Sequence, residues 1–170
     1  MENIEIKARI ENPDRTRELV RALDHTFVGL DHQIDTYFKT TNGRFKLRES
    51  SLSGPYLIFY LRDNLSGPKS SIYQKLPVED ALGLKNLLNQ MQGIHTIIEK
   101  NREIYLYENV RIHLDKVKKL GNFLELEAVM DDKHNNRERE TDKVNYLLEK
   151  LNIKDKDLIS LSYENLMNKF

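Results

Sequence analysis

Two kinds of charged side chain recur at a spacing of two along this sequence. Glu125 and Glu127 are carboxylates separated by Leu126, and Glu5 stands near the N-terminus beside Lys7. Lys46 and Arg48 form a basic pair around Leu47, and Lys100 and Arg102 another around Asn101. On a strand, residues i and i+2 share one face, so each pair presents its charges together. Carboxylate oxygens are hard ligands for Mg²⁺ or Mn²⁺, whose shell substrate phosphates commonly complete. Arginine grips phosphate through two parallel hydrogen bonds, and lysine acts as a point charge. Carboxylates and cations in one cavity are what metal-assisted phosphoryl or nucleotidyl transfer requires.

The same logic adds further residues. Arg62 shares a face with Tyr60, Lys75 with Tyr73, and Arg111 with His113 and Asp115. The elements that would position them are strands. Residues 3–10 alternate Asn3, Glu5, Lys7 and Arg9 with Ile4, Ile6, Ala8 and Ile10, the pattern of a strand with one apolar and one charged face. Asn12-Pro13 reads as a helix cap with proline in the first turn, opening a helix to about residue 23. Strands are expected over 26–40, 44–50, 56–63, 70–76, 94–107, 110–117 and 123–130, with turn signals at Asn42-Gly43, Ser53-Gly54-Pro55, Ser66-Gly67-Pro68 and Gly121-Asn122. Helical spacing of apolar residues marks 80–91 and 137–151, and the tail from 155 reads as one or two short helical pieces. The charged tract 131–143 reads as a loop and a solvated helix start.

Eight strands joined mostly by short turns, with three helices, predict an α+β, mainly β chain. The expected form is a closed eight-stranded antiparallel barrel with helices packed outside, one domain over 1–170. The plain account of each charged strand face is a polar face in water. The set as a whole points elsewhere. Three amphipathic helices need an apolar surface to cover; if that surface is the outside of the barrel, the charged faces line its interior. A lumen rich in Lys and Arg needs an anion of high charge or ample water, because each unpaired buried ion costs several kcal/mol.

Bulk properties restrict the alternatives. The chain has 170 residues, 27 basic and 27 acidic side chains and no cysteine. Zero net charge argues against a general nucleic-acid binder, and the lack of cysteine excludes disulfides and thiolate metal sites. The first residues lack a signal-peptide pattern and no apolar run approaches spanning length. A cytoplasmic protein without membrane partners is the expectation.

In order along the chain, Asn3-Ile4-Glu5-Ile6-Lys7, Asp35-Thr36-Tyr37-Phe38, Phe45-Lys46-Leu47-Arg48, Arg62, Lys100-Asn101-Arg102, Arg111-Ile112-His113-Leu114-Asp115 and Gly121-Asn122-Phe123-Leu124-Glu125-Leu126-Glu127 resemble the CYTH, or triphosphate tunnel, family. The Ser162-Tyr163-Glu164-Asn165-Leu166 ending is similar to that of class IV adenylyl-cyclase-like members. The resemblance implies a tunnel, triphosphate substrates such as ATP and dependence on Mg²⁺ or Mn²⁺. It implies metal ligation by Glu5, Glu125 and Glu127 with Asp115 assisting. Phosphate binding would fall to Lys7, Lys46, Arg48, Arg62, Lys75, Lys100, Arg102 and Arg111, and reaction-centre roles to Arg62, Tyr37 and Asp115. Family members are often dimers, but no stripe in this sequence identifies an interface. One departure stands out: the family's first signature Glu is Asn3 here, an amide that can ligate but carries no charge.

Some residues read two ways. His113 is a hydrogen-bonded lumen residue on the plain reading, with catalytic base or metal ligand as alternatives. Tyr37 is a packed aromatic, or a nucleophile activator if a cation lowers its pKa. Cyclase and triphosphatase use the same clamp and differ in which phosphorus is attacked, a matter of positioning. Arg62 leans toward the cyclase, since arginine cannot serve as a base and thiamine-triphosphatase-like members tend to carry Lys there. A non-catalytic nucleotide- or polyphosphate-binding module remains a third reading.

Overall fold

The computed structural model describes residues 2–61, the backbone of Arg62, and residues 67–168. Its strands are β1 (Glu2–Arg9), β2 (Thr26–Phe38), β3 (Arg44–Ser50), β4 (Tyr56–Arg62), β5 (Lys69–Pro77), β6 (Ile94–Tyr107), β7 (Val110–Val117) and β8 (Gly121–Met130). Its helices are α1 (Pro13–Arg21), α2 (Ala81–Met91), α3 (Arg137–Lys150) and α4 (Tyr163–Met167), with one 3₁₀ turn at Asp155–Asp157. The strands close into a barrel in the order β1-β5-β4-β3-β2-β6-β7-β8, every pairing antiparallel. Closure pairs each described strand on both sides.

Alternation decides what faces in and out. Ile4, Ile6, Ile112, Leu114, Leu124, Leu126 and Ala128 point outward and pack on Val20 of α1 and Val144, Leu147, Leu148 and Leu151 of α3. Leu88 of α2 covers Phe38 and Leu47 on the other side of the barrel. Each packing helix starts on a side-chain cap that accepts a backbone N–H: Asn12 from Arg15, Asp80 from Gly83, Asn136 from Arg139. Arg17 of α1 donates Nε and Nη2 to Glu103 of β6, fixing α1 against the sheet. Helical cover on the apolar outside leaves the charged alternate residues for the interior.

Several expected boundaries move. The first helix stops at Arg21, before the bend at residues 23–24 that enters β2. β2 ends at Phe38, where a register shift beside Tyr37 ends its pairing with β6. Gly43 makes the β2–β3 turn at φ +66°, and a Cβ there would lie 2.8 Å from Phe59 and Leu61 side-chain atoms. The tail carries the short helical pieces expected from 155, a 3₁₀ turn at Asp155–Asp157 and a five-residue helix capped by Ser162. The tract 131–143 is only partly solvated: Glu140 is buried and accepts from Asn109 Nδ2 at 2.7 Å. The expected strand end at Asp63 and the turn residue Ser66 lie outside the described residues.

Candidate active site in the barrel lumen

Residues of all eight strands line a cavity of about 930 Å³ including its open mouth, a size suited to a small-molecule ligand. Lining residues include Glu5, Lys7, Lys46, Arg48, Lys75, Lys100, Arg102, Arg111, Glu125 and Glu127. The antiparallel registers turn sequence pairs into rings of charge. Lys7 lies opposite Glu125 and Glu5 opposite Glu127 across β1 and β8; Arg111 lies opposite Glu127 and His113 opposite Glu125 across β7 and β8.

One carboxylate organises the basic side. Asp35 of β2 accepts from Arg48 Nε and Nη2 at 2.7 Å each, from Lys46 Nζ at 2.7 Å and from Lys100 Nζ at 3.2 Å. Burial alone would raise Asp35, but Arg48, Lys100 and Lys46 outweigh it and hold it well below the usual carboxylate range. The lysines share that single anion with an arginine, so pairing does not offset their burial. Burial and Arg48 push Lys46 down to about 7 against the pull of Asp35. Burial pushes Lys100 down to about 8, with Asp35 opposing and Arg48 and Arg102 assisting. This corner of the lumen therefore holds more positive charge than its own anions neutralise.

The opposite wall is acidic. Arg102 donates Nε and Nη2 to Asp115 at 2.7 and 2.6 Å and also bonds Glu125. Lys7 Nζ lies 2.6 Å from Glu125 Oε1. Burial raises Glu125, and Lys7 and Arg102 outweigh it to hold it well below its usual value. Burial likewise raises Glu127, and His113 and Arg102 bring it below its ordinary value. Arg111 Nη1 is 3.6 Å from Glu127, nearer the mouth.

An apolar floor ends the cavity. Tyr37, Ile98, Val117, Leu120, Phe123 and Tyr163 pack together there. Tyr163 comes from α4, which reaches the barrel because Ile159 N donates to Lys7 O at 2.8 Å. Its hydroxyl donates to Asp115 Oδ2 at 2.8 Å, and Lys7 Nζ sits 3.4 Å over its ring. Arg44 ties the same helix to β3 through Asn165 Oδ1 at 2.8 Å.

Several residues differ from their sequence reading. Burial raises the Tyr37 hydroxyl well above its ordinary value, with Tyr60 and Asp35 adding to it, and Lys46 donates to it at 3.2 Å. Tyr37 is thus a buried phenol, and the cation-lowered phenolate is not its state. His113 is buried in the lumen, as on the plain reading, and its Nδ1 has no hydrogen-bond partner of ordinary length among the described residues. Lys75 is exposed at the mouth, its Nζ 3.5 Å over the Tyr56 ring. Arg62 ends β4 opposite Ser71, and its side chain lies outside the described residues. Sequence reasoning quoted Asp35 without giving it a role, and missed Lys69, which is buried in β5 opposite Glu5. Alternation with Tyr73 and Lys75 was the signal that would have found Lys69.

The donor set fits a divalent ion. Ligand atoms of His113, Glu125 and Glu127 lie within 4.8 Å of one another. Asn3 Oδ1, buried on the neighbouring strand, is an acceptor without a hydrogen-bond partner among the described residues. Glu5 lies outside this tight group but directly opposite Glu127.

The CYTH domain family model matches residues 1–163. A Methanocaldococcus jannaschii protein named "Putative adenylate cyclase MJ0240" is 28% identical over 173 residues, 96% of this chain and 97% of that one. Among solved structures, the PH1012 protein of Pyrococcus horikoshii superposes with a TM-score of 0.85 at 24% identity, covering 96% of this chain and 98% of its own. A Vibrio parahaemolyticus protein named "putative adenylate cyclase" superposes with a TM-score of 0.82 at 19% identity, covering 98% of this chain and 97% of its own. These two likenesses speak for the fold.

Proposed function

Since the chain belongs to the CYTH domain family, we propose that it is a divalent-metal-dependent enzyme of ATP, a class IV adenylyl-cyclase-like catalyst forming cyclic AMP and pyrophosphate. One observation carries the reading: Lys46, Arg48 and Lys100 converge on the single carboxylate of Asp35 inside a cavity. Surplus buried positive charge calls for a polyanion, and a triphosphate chain is long enough to reach several cations at once. The relative from M. jannaschii supports the choice of ATP over other triphosphates.

Glu125 and Glu127, with Glu5 and Asn3 on the adjoining strand, would hold the metal. Bound there, Mg²⁺ or Mn²⁺ would neutralise charge on the phosphate oxygens and on the departing pyrophosphate. The chain's own residues do the rest. Arg48 and Arg102 orient phosphate oxygens by two-point hydrogen bonding, and Lys7, Lys100, Arg111 and Lys75 add charge from the floor to the mouth. Asp115 holds Arg102 in place. Cyclisation forms a bond from the ribose 3′-oxygen to the α-phosphorus, breaks the bond to the β-phosphate oxygen, and releases the 3′-hydroxyl proton. That proton leaves to water through the open mouth of the cavity, because the lumen lysines are charged once a triphosphate is bound.

The test is a product-resolved incubation of pure protein with ATP and with tripolyphosphate, under Mg²⁺ and Mn²⁺. Cyclic AMP with pyrophosphate supports the cyclase. Orthophosphate without cyclic AMP would move the assignment to a triphosphatase, and tight binding without turnover to a nucleotide- or polyphosphate-binding module.

A further inference from the structure

His113 is a buried histidine beside the two carboxylates of β8. It is 4% exposed, its ring lies between the two carboxylates of β8, and Nδ1 is 3.7 Å from Glu127 Oε1 and 3.9 Å from Glu125 Oε2. Both distances are too long for a hydrogen bond. Leaving a buried ring nitrogen without one costs roughly 1–3 kcal/mol. The spacing is close to what a shared ion would require: bonds of about 2.1 Å place neighbouring ligand atoms about 3 Å apart, less than an ångström inside the present separations. Among the described residues, the ion-pair contacts of Glu127 are long ones, with Arg111 and His113. Glu125 bonds Lys7 and Arg102, but each carboxylate oxygen carries two lone pairs and can still ligate.

We infer that His113 Nδ1 is a direct ligand of the divalent ion at Glu125 and Glu127, and that this nitrogen biases the site toward borderline transition ions over Mg²⁺. The inference rests on the proposed metal-dependent reading and deepens it. The reason lies in β1 and β7 together. Asn3 supplies an uncharged oxygen where a carboxylate would favour a hard ion, and His113 supplies an imidazole, which suits Co²⁺, Ni²⁺ and Zn²⁺ better than Mg²⁺. No other described histidine offers the same environment: His25 Nδ1 contacts Leu23 O, His32 pairs with Glu99, His95 with Asn168 and His134 with Asp131.

The probe is Co²⁺ alone, titrated against the full chain without nucleotide. In the wild type, proton NMR of the Co²⁺ form should show one exchangeable, hyperfine-shifted imidazole N–H, from the Nε2 side of a ring bound through Nδ1. Calorimetric titration should show Co²⁺ binding at least about tenfold tighter than Mg²⁺. His113→Gln should remove the shifted resonance and weaken Co²⁺ by about 10–100-fold, the range seen even for lost outer-shell partners, while leaving Mg²⁺ affinity nearly unchanged. Absence of any shifted imidazole proton in Co²⁺-loaded wild-type protein would overturn the inference, whatever the variant does. An equal loss of Mg²⁺ and Co²⁺ in the variant would also overturn it. Failure of the broader reading would show separately, as ATP or tripolyphosphate turnover indifferent to chelation.

Discussion

Arg48 grips both oxygens of Asp35 inside the barrel, Nε 2.7 Å from Oδ1 and Nη2 2.7 Å from Oδ2. Lys46 and Lys100 share the second oxygen. Removing that anion leaves buried cations uncompensated. We predict that Asp35→Asn lowers stability by about 3–5 kcal/mol, read as a lower urea midpoint. Tripolyphosphate should stabilise the variant more than the wild type, because it supplies the missing negative charge. Equal stabilisation of both would mean that the polyanion does not reach this corner.

Protonation follows from the same crowding. Lys46 is held at about 7 and Lys100 at about 8, against an ordinary 10.5. Between the folded and ordinary values the unfolded chain binds more protons, so these lysines make stability rise with pH from about 7 toward 10.5. Their burial cost is felt fully below about 7. A bound triphosphate favours the charged amines, so binding at pH 8 should take up protons. Calorimetry in two buffers of different ionisation enthalpy measures that uptake. Lys46→Arg, charged at every pH used, should reduce it; an unchanged uptake would exclude Lys46 as its source.

The floor can be dissected at Tyr163. Its hydroxyl bonds the ionised Asp115 and its ring carries Lys7. Tyr163→Phe keeps the ring and loses a charge-assisted hydrogen bond, a cost of about 1.5–3 kcal/mol. Tyr163→Ala also loses the cation–π contact, about 2 kcal/mol when desolvated, and the edge-on packing with Phe123. Denaturant unfolding should rank wild type above Phe and Phe above Ala. If Phe matched the wild type, the hydroxyl would contribute nothing through Asp115.

Much of this architecture is legible in sequence, for a physical reason. Alternation in residues 3–10 and 123–130 states which side chains face in, once helices are known to need the other face. The partners across the barrel are not written that way. Asp35 meets Lys100 because β2 pairs with β6 in a register that sets Gln33 opposite Lys100, and local propensity does not specify that register. Tyr163 meets Asp115 from 48 positions away, through a tail whose route depends on its contact with β1. The missing partner of His113 is a property of distances alone.

On the acidic wall, Glu127→Gln keeps the shape of the side chain and removes its charge. Loss of several kcal/mol of metal-dependent stabilisation corresponds to about a 10³-fold fall in turnover. Circular dichroism should be unchanged. Full activity in this variant would contradict the assignment of Glu127 to the metal.

The central claim is that the lumen cations clamp a triphosphate, and titration calorimetry of tripolyphosphate with Mg²⁺ tests it without reference to the product formed. The wild type should bind one tripolyphosphate per chain, ATP should compete, and Arg48→Met should weaken binding by roughly 10–100-fold, the equivalent of a lost charge-assisted pair of about 1.5–3 kcal/mol. Binding that ignores Arg48→Met, or no binding at millimolar tripolyphosphate, would contradict it.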